Sequence, residues 1–122
     1  MGTALLAPLL IMLAMFLSCA SAASQYSVEM VEPFHSRSLS GTVLDASAAP
    51  LEGAVVERCQ ERWRNCFDRV VTDRHGRFSW HHAKNGTYFL KLSKDGFNPM
   101  QVTVIIDGNF KAGLRFQLPI AN

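Results

Sequence analysis

The sequence predicts an all-β protein: an antiparallel seven-stranded β-sandwich preceded by a signal peptide. From Leu39 onward, short apolar runs alternate with polar residues, and turn-forming pairs such as Asn85-Gly86 separate them. No segment beyond residue 22 keeps a helical period. The first segment of the chain differs from the rest, because it is almost wholly apolar and ends in small residues.

Residues 1–22 have the features of a secretory signal peptide. An apolar run covers residues 4–16, and no charged residue occurs before Glu29. Ala20-Ser21-Ala22 fits an Ala-x-Ala cleavage site, so cleavage is expected after Ala22. The positive charge that usually precedes such a run is missing, which weakens the case for an export signal of any kind.

Two alternatives for this segment remain open. A transmembrane helix needs about 20 apolar residues, and this run is shorter and contains Pro8. A lipoprotein signal would be cleaved just before Cys19 and would attach lipid to that residue. Phe16-Leu17-Ser18 is a loose version of the small apolar pattern that such a signal requires. Both alternatives, like cleavage after Ala22, place the domain outside the cytoplasm.

The remaining chain divides into a polar linker at 23–38 and a single domain at 39–120. Seven runs in this domain have the composition and length of short strands. They cover residues 41–44, 53–59, 66–72, 77–80, 87–92, 101–106 and 114–118. Loops rich in Gly, Pro, Asp and Asn separate them, as in a sandwich of short strands.

Period-two alternation within these runs predicts the core. Residues of one parity are apolar, whereas their neighbours are polar and suit a solvated face. The inward set is Val43, Val56, Phe78, Trp80, Tyr88, Leu90, Leu92, Val102, Val104, Ile106, Leu114, Phe116 and Leu118.

The turns and strands also form an ordered set of motifs. They read G-T-V-L-D at 41–45, P-L-E-G-A-V-V at 50–56, T-D-R-H-G-R-F-S-W at 72–80, N-G-T-Y-F-L-K-L at 85–92 and D-G-F at 95–97. This order resembles the carboxypeptidase regulatory-like domain, a family of transthyretin-like (prealbumin-like) β-sandwiches. Trp80 stands where the family pattern has Phe.

The resemblance implies a fold and a class of role. Domains of this family accompany peptidases, outer-membrane receptors and surface proteins, in roles that are not catalytic. The matching motifs are turns and core positions, so no functional residue carries over from them. Fold-level analogy is in any case a weak basis for assigning function.

Cys59 and Cys66 lie outside the family pattern and predict a disulfide. An even pair of cysteines in an exported domain favours a bond, and the pair would close a hairpin with six residues between. The simplest register with the cysteines opposite sets Glu57 across from Asp68. Like charges directly opposite are destabilising, and a bulge would relieve the conflict.

The loop between the cysteines is the candidate binding site, with Arg62, Trp63 and Arg64 at its tip. Trp and Arg are frequent anchors of interfaces. They also stack on sugars or aromatic groups and bind carboxylates. The expected partner is a protein or a polysaccharide. The alternatives are a structural or accessory domain without a specific ligand and a lipid-anchored envelope protein. An exposed Trp63 would favour binding, whereas a Trp63 folded back onto the sandwich would favour the structural role.

Charge and motif content argue against other functions. The net charge of +2 is too small to indicate nucleic acid, and acidic residues dilute the six arginines between Arg58 and Arg77. His81 and His82 are adjacent on a run and point to opposite faces, so no metal site is expected. No cofactor is expected either. The chain lacks a G-x-S-x-G motif and the Tyr-Arg-Gly-Ser end of hydroxyisourate hydrolases, so it is predicted not to be an enzyme.

Overall fold

The computed structural model describes residues 27–121, which form strands, turns and loops. Two β-sheets pack face to face. The nine strands of this part are β1 (Val28–Glu29), β2 (Phe34–Ser36), β3 (Ser40–Leu44), β4 (Val55–Gln60), β5 (Asn65–Val71), β6 (Arg77–Ser79), β7 (Gly86–Ser93), β8 (Met100–Ile106) and β9 (Leu114–Gln117).

The predicted fold class is confirmed. Strands β3 to β9 correspond one to one with the seven predicted runs. The larger sheet has the order β1-β8-β7-β4-β5, with β2 also paired to β8, and the smaller sheet has the order β6-β3-β9. Within residues 27–121 no helix has the length and apolarity needed to cross a membrane.

The sheets are mixed rather than purely antiparallel. β9 pairs with β3 in parallel, and β1 and β2 both pair with β8 in parallel. A parallel neighbour has to be reached by a long connection. Here the chain between β3 and β9 forms four strands of the larger sheet, β4, β5, β7 and β8, before β9 pairs with β3 in the smaller one. Local alternation does not carry this information, because it fixes faces and not strand order.

The core lies between the two sheets and follows the predicted alternation. β8 alternates buried and partly buried residues along its whole length, and β9 alternates buried and exposed ones. Phe116 is at the centre, stacked on Phe78 at 6.1 Å and in edge contact with Phe34 at 4.9 Å between ring centroids. All the predicted inward residues are buried except Trp80 and Tyr88, which are partly buried at the margin of the core.

The segment expected to be a linker carries β1 and β2. Phe34 of β2 pairs with Val104 and packs on Phe116, so this segment closes one side of the sandwich. Two- and three-residue strands have too few positions to show a period, and these two are held by an edge of β8 rather than by their own sequence. The expected signal peptide at 1–22 and the lipidation site at Cys19 lie outside the described residues.

Candidate binding site

The β4–β5 hairpin carries the predicted loop, and a bulge sets its register. Cys59 is opposite Cys66, but the register shifts between Arg58 and Cys59. Arg58 is therefore opposite Asp68, and Glu57 is opposite Arg69. The bulge replaces the like-charged pair of the simplest register with two pairs of opposite charge, and opposite charges stabilise cross-strand pairs.

The predicted disulfide is present in this hairpin. The sulfurs of Cys59 and Cys66 are bonded at 2.03 Å. The bond closes a loop in which Glu61 and Arg62 both have left-handed backbone angles, with φ of 49° and 62°. This conformation costs a non-glycine residue roughly 1–2 kcal/mol, so contacts elsewhere have to hold the loop in place.

Trp63 provides such a contact by folding back onto the larger sheet. Its indole N–H donates to the backbone carbonyl of Val102 in β8 at 3.2 Å. Its ring meets the Phe89 ring edge to face, with 5.5 Å between centroids. Trp63 is half-buried as a result. It anchors the loop, which is the placement that favours a structural role for this side chain.

The structure thus brings the predicted site residues into one loop but gives them different surroundings. Arg62 and Arg64 are exposed on either side of the docked Trp63. The loop presents two guanidinium groups to solvent. The disulfide joins the two ends of its backbone, and the docked indole of Trp63 holds its middle.

Arg58 forms a second feature that the sequence analysis did not single out. Its guanidinium carbon lies 5.4 Å from the centroid of Phe67, 5.6 Å from that of Trp80 and 5.2 Å from that of Tyr88. Each distance is within the range of a cation–π contact. One signal could have revealed it, because Arg58 has the same parity as Val56 on β4 and so faces the interior.

Asp68 lies across from Arg58, but its carboxylate oxygens accept hydrogen bonds from other groups. One carboxylate oxygen of Asp68 accepts from the Trp80 indole N–H at 3.0 Å, and the other accepts from the backbone N–H of Arg69 at 2.8 Å. In residues 27–121 the Nε of Arg58 is buried without a hydrogen-bond partner. An unpaired buried donor costs about 1–3 kcal/mol, so this group retains a strong tendency to bind an acceptor.

A cleft opens beside the loop next to this cluster. It has a volume of about 290 Å³, and Arg58, Glu61, Phe67, Thr87 and Tyr88 are among the residues that line it. The Tyr88 hydroxyl donates to the backbone carbonyl of Lys84 at 2.5 Å, which fixes one wall. We call this cavity the Arg58 cleft.

The remaining chemistry-bearing side chains do not converge. His81 and His82 lie in the turn after β6 with 6.4 Å between ring centroids, and both are exposed. Across residues 27–121, no group of three His, Cys, Asp or Glu side chains is arranged to hold a metal ion.

Comparison with known proteins identifies the family. The model of the carboxypeptidase regulatory-like domain matches residues 38–119. The chain belongs to this family. The match runs from the residue before the buried Leu39 through β9, so the carboxypeptidase regulatory-like domain contains the whole disulfide hairpin. No curated protein matches the chain.

Among solved structures, the chain is similar to 5-hydroxyisourate hydrolase from Klebsiella pneumoniae. The identity is 24%, the TM-score is 0.43, and the match covers 79% of this chain and 86% of the hydrolase. This likeness contradicts the prediction that the chain is not an enzyme, because the similar protein is one. That prediction is therefore withdrawn. A likeness of this size assigns neither an activity nor a site residue to this chain.

Proposed function

We propose that this carboxypeptidase regulatory-like domain is exported and binds a protein or polysaccharide partner through the loop between Cys59 and Cys66. The observation that carries the proposal is the fixed shape of the loop. Its two left-handed residues are held by a disulfide on one side and by the docked Trp63 on the other. A loop that is already ordered loses little entropy on binding.

The chemistry of the tip indicates the kind of group that it would contact. Arg62 and Arg64 are exposed, and a guanidinium binds carboxylates through two parallel hydrogen bonds. Acidic side chains and acidic sugars both carry this group. The partner is therefore expected to bring carboxylates to the loop.

Export is supported by the disulfide and by the first segment of the chain. Disulfides are typical of oxidising compartments, and residues 1–22 have the pattern of a signal peptide. Mass spectrometry of the mature amino terminus tests this directly. Cleavage after Ala22, or lipid on Cys19, would support export, whereas a chain that retains Met1 and is recovered in the cytoplasmic fraction would contradict it.

A capture experiment tests binding at the loop. The protein is used to recover partners from the envelope and extracellular fractions. The variant Arg62→Ala/Arg64→Ala is compared with Arg74→Ala/Arg115→Ala, which removes the same charge from exposed positions outside the loop. Partners lost only with the loop variant would support the proposal. Equal recovery with both variants would remove the basis for a binding loop.

One observation favours a second candidate, a structural or accessory domain without a specific ligand. Trp63 contacts Phe89 and Val102 of its own chain, so its ring adds to the stability of the sheet. In that case the hairpin braces the outer face of β7 and β8. This candidate would be favoured if neither the loop variant nor its control recovered a partner and if Trp63→Ala were less stable than the unmodified protein.

A further inference from the structure

We propose that the Arg58 cleft binds a carboxylate side chain of an acidic protein segment. The inference rests on the proposed function, because it names the chemical class of the partner and adds a subsite beside the loop. The cleft and the tip are adjacent, since Glu61 lines the cleft and Arg62 follows it in the loop.

The state of the guanidinium is the first argument. Arg58 is half-buried and lines the cleft, yet among residues 27–121 its buried Nε has no hydrogen-bond partner. Asp68, the acid directly opposite on β5, uses its oxygens for Trp80 and Arg69. A partly desolvated cation with an unsatisfied donor attracts an anion more strongly than an exposed arginine does, because water screens it less.

The walls of the cleft are the second argument. The guanidinium carbon of Arg58 lies 5.4 Å from the centroid of the Phe67 ring and 5.2 Å from that of the Tyr88 ring. This arrangement restricts the rotation of a long side chain, so less entropy is lost when it forms hydrogen bonds. Arg58 lines this cavity, whose volume of about 290 Å³ is large enough for a carboxylate and its first carbons.

The surroundings favour a protein over a polysaccharide. Phe67 and Val71 are 56% and 54% exposed, and both lie on β5. β5 pairs only with β4 among the described strands, so no described strand covers its outer edge. An extended protein segment supplies backbone pairing and apolar side chains for such an edge, together with an acidic side chain for the cleft. A polysaccharide offers neither backbone amides nor apolar side chains.

The first test uses the unmodified protein and a pair of capped tripeptides. Acetyl-Val-Glu-Val-amide and acetyl-Val-Gln-Val-amide differ only in the charged group. We expect the Glu peptide to shift the Arg58 Nε–H signal in a ¹⁵N NMR titration and to bind at least tenfold more tightly than the Gln peptide. Equal affinity of the two peptides, or no change at Arg58 Nε–H, would overturn the proposal. So would binding of trigalacturonate at Arg58 without binding of the Glu peptide.

The second test uses Arg58→Met, which keeps an unbranched apolar stem between the rings but removes the guanidinium. Its control is Arg115→Met, an equal change of charge at an exposed position of the smaller sheet. The indole signals of Trp63 and Trp80 report whether each variant is folded. We expect Arg58→Met to bind the Glu peptide at least tenfold more weakly and Arg115→Met to bind as the unmodified protein does. If Arg58→Met fails to fold, the comparison of the Glu and Gln peptides on the unmodified protein decides whether the proposal stands.

The two proposals fail in different ways. The tripeptides are designed for the cleft alone, so we expect their binding not to depend on Arg62 or Arg64. Loss of Glu peptide selectivity would remove the carboxylate subsite and leave the loop proposal standing. Equal capture of partners by the loop variant and its control would remove the loop proposal and leave the cleft standing.

Discussion

Strand β5 lies between two turns that reach their shapes by different means. The turn after it, Asp73 to Gly76, is fixed by residues within the turn. Asp73 accepts from the backbone N–H groups of His75 and Arg77, and Gly76 takes the left-handed position at φ 72°. The loop before it has no glycine at its left-handed positions, Glu61 and Arg62. That loop depends on a disulfide and on the distant carbonyl of Val102.

This difference separates a turn that serves the fold from a loop that is available for another role. A turn built from Asp and Gly has the shape that its own residues prefer. A loop that places Glu and Arg in the left-handed region has a conformational cost that must be offset by packing elsewhere. Such strain is found most often at sites of function, and in this hairpin it lies next to the exposed arginines.

Gly76→Ala should have the largest effect on stability. A Cβ at this position would lie 2.5 Å from the carbonyl oxygen of Val43 and 3.0 Å from the backbone nitrogen of Leu51, both of which are main-chain atoms. The left-handed angle adds its own cost for alanine. We expect the free energy of unfolding to fall by about 2–4 kcal/mol, as measured by urea denaturation.

Gly108→Ala is the matched control for this prediction. A Cβ on Gly108 would meet no atom within 4 Å, so its unfolding midpoint should stay close to that of the unmodified protein. A Gly76→Ala protein as stable as this control would mean that the turn is not packed against β3 in solution.

Trp63→Ala tests the loop side of the comparison and should have an intermediate effect. It removes the edge contact with Phe89 and the hydrogen bond to Val102. We expect a loss of about 1–2 kcal/mol in the free energy of unfolding. Trp63→Phe keeps an aromatic ring without the N–H donor and should lose less. Unchanged stability of Trp63→Ala would show that the loop holds its shape without the anchor.

Much of the fold could be predicted from the sequence, because it depends on local patterns. Alternation in residues 101–106 and 114–118 placed Val104 and Phe116 in the core correctly. Asp73 and Gly76 indicated their turn through chemistry that acts over four residues. The parallel pairing of β3 with β9 and the two strands of the linker depend on distant partners, and short-range patterns do not contain them.

In the candidate site, too, some features follow from local sequence patterns and others depend on residues that are distant in the sequence. The cysteine pair and its bulge followed from spacing and charge, since the simplest register opposed Glu57 and Asp68. The position of Trp63 did not, because its partner Val102 is 39 residues away in sequence. Arg58 could have been recognised from its inward parity on β4, but its aromatic neighbours come from β5, β7 and the end of β6. Only the folded sandwich brings them together.

Asp73→Asn should have the smallest effect on the free energy of unfolding, and this effect should depend on pH. The backbone N–H of Arg77, followed by that of His75 and by the positive charges of both residues, lowers the pKa of Asp73 below its usual value of 3.8. A carboxyl whose pKa is lowered on folding stabilises the folded state above its unfolded pKa, and this contribution is lost as the pH falls through the folded value.

The Asp73→Asn variant should therefore be less stable than the unmodified protein at pH 7. The two should converge as the pH drops below 3.8, and salt should reduce the gap because Asp73 is exposed. Urea midpoints at pH 7, 5 and 3 measure this, with Asp95→Asn as an exposed control. A gap that stays constant down to pH 3 would mean that the amide loses turn geometry rather than charge, and the account of this turn as a charge-stabilised cap would be wrong.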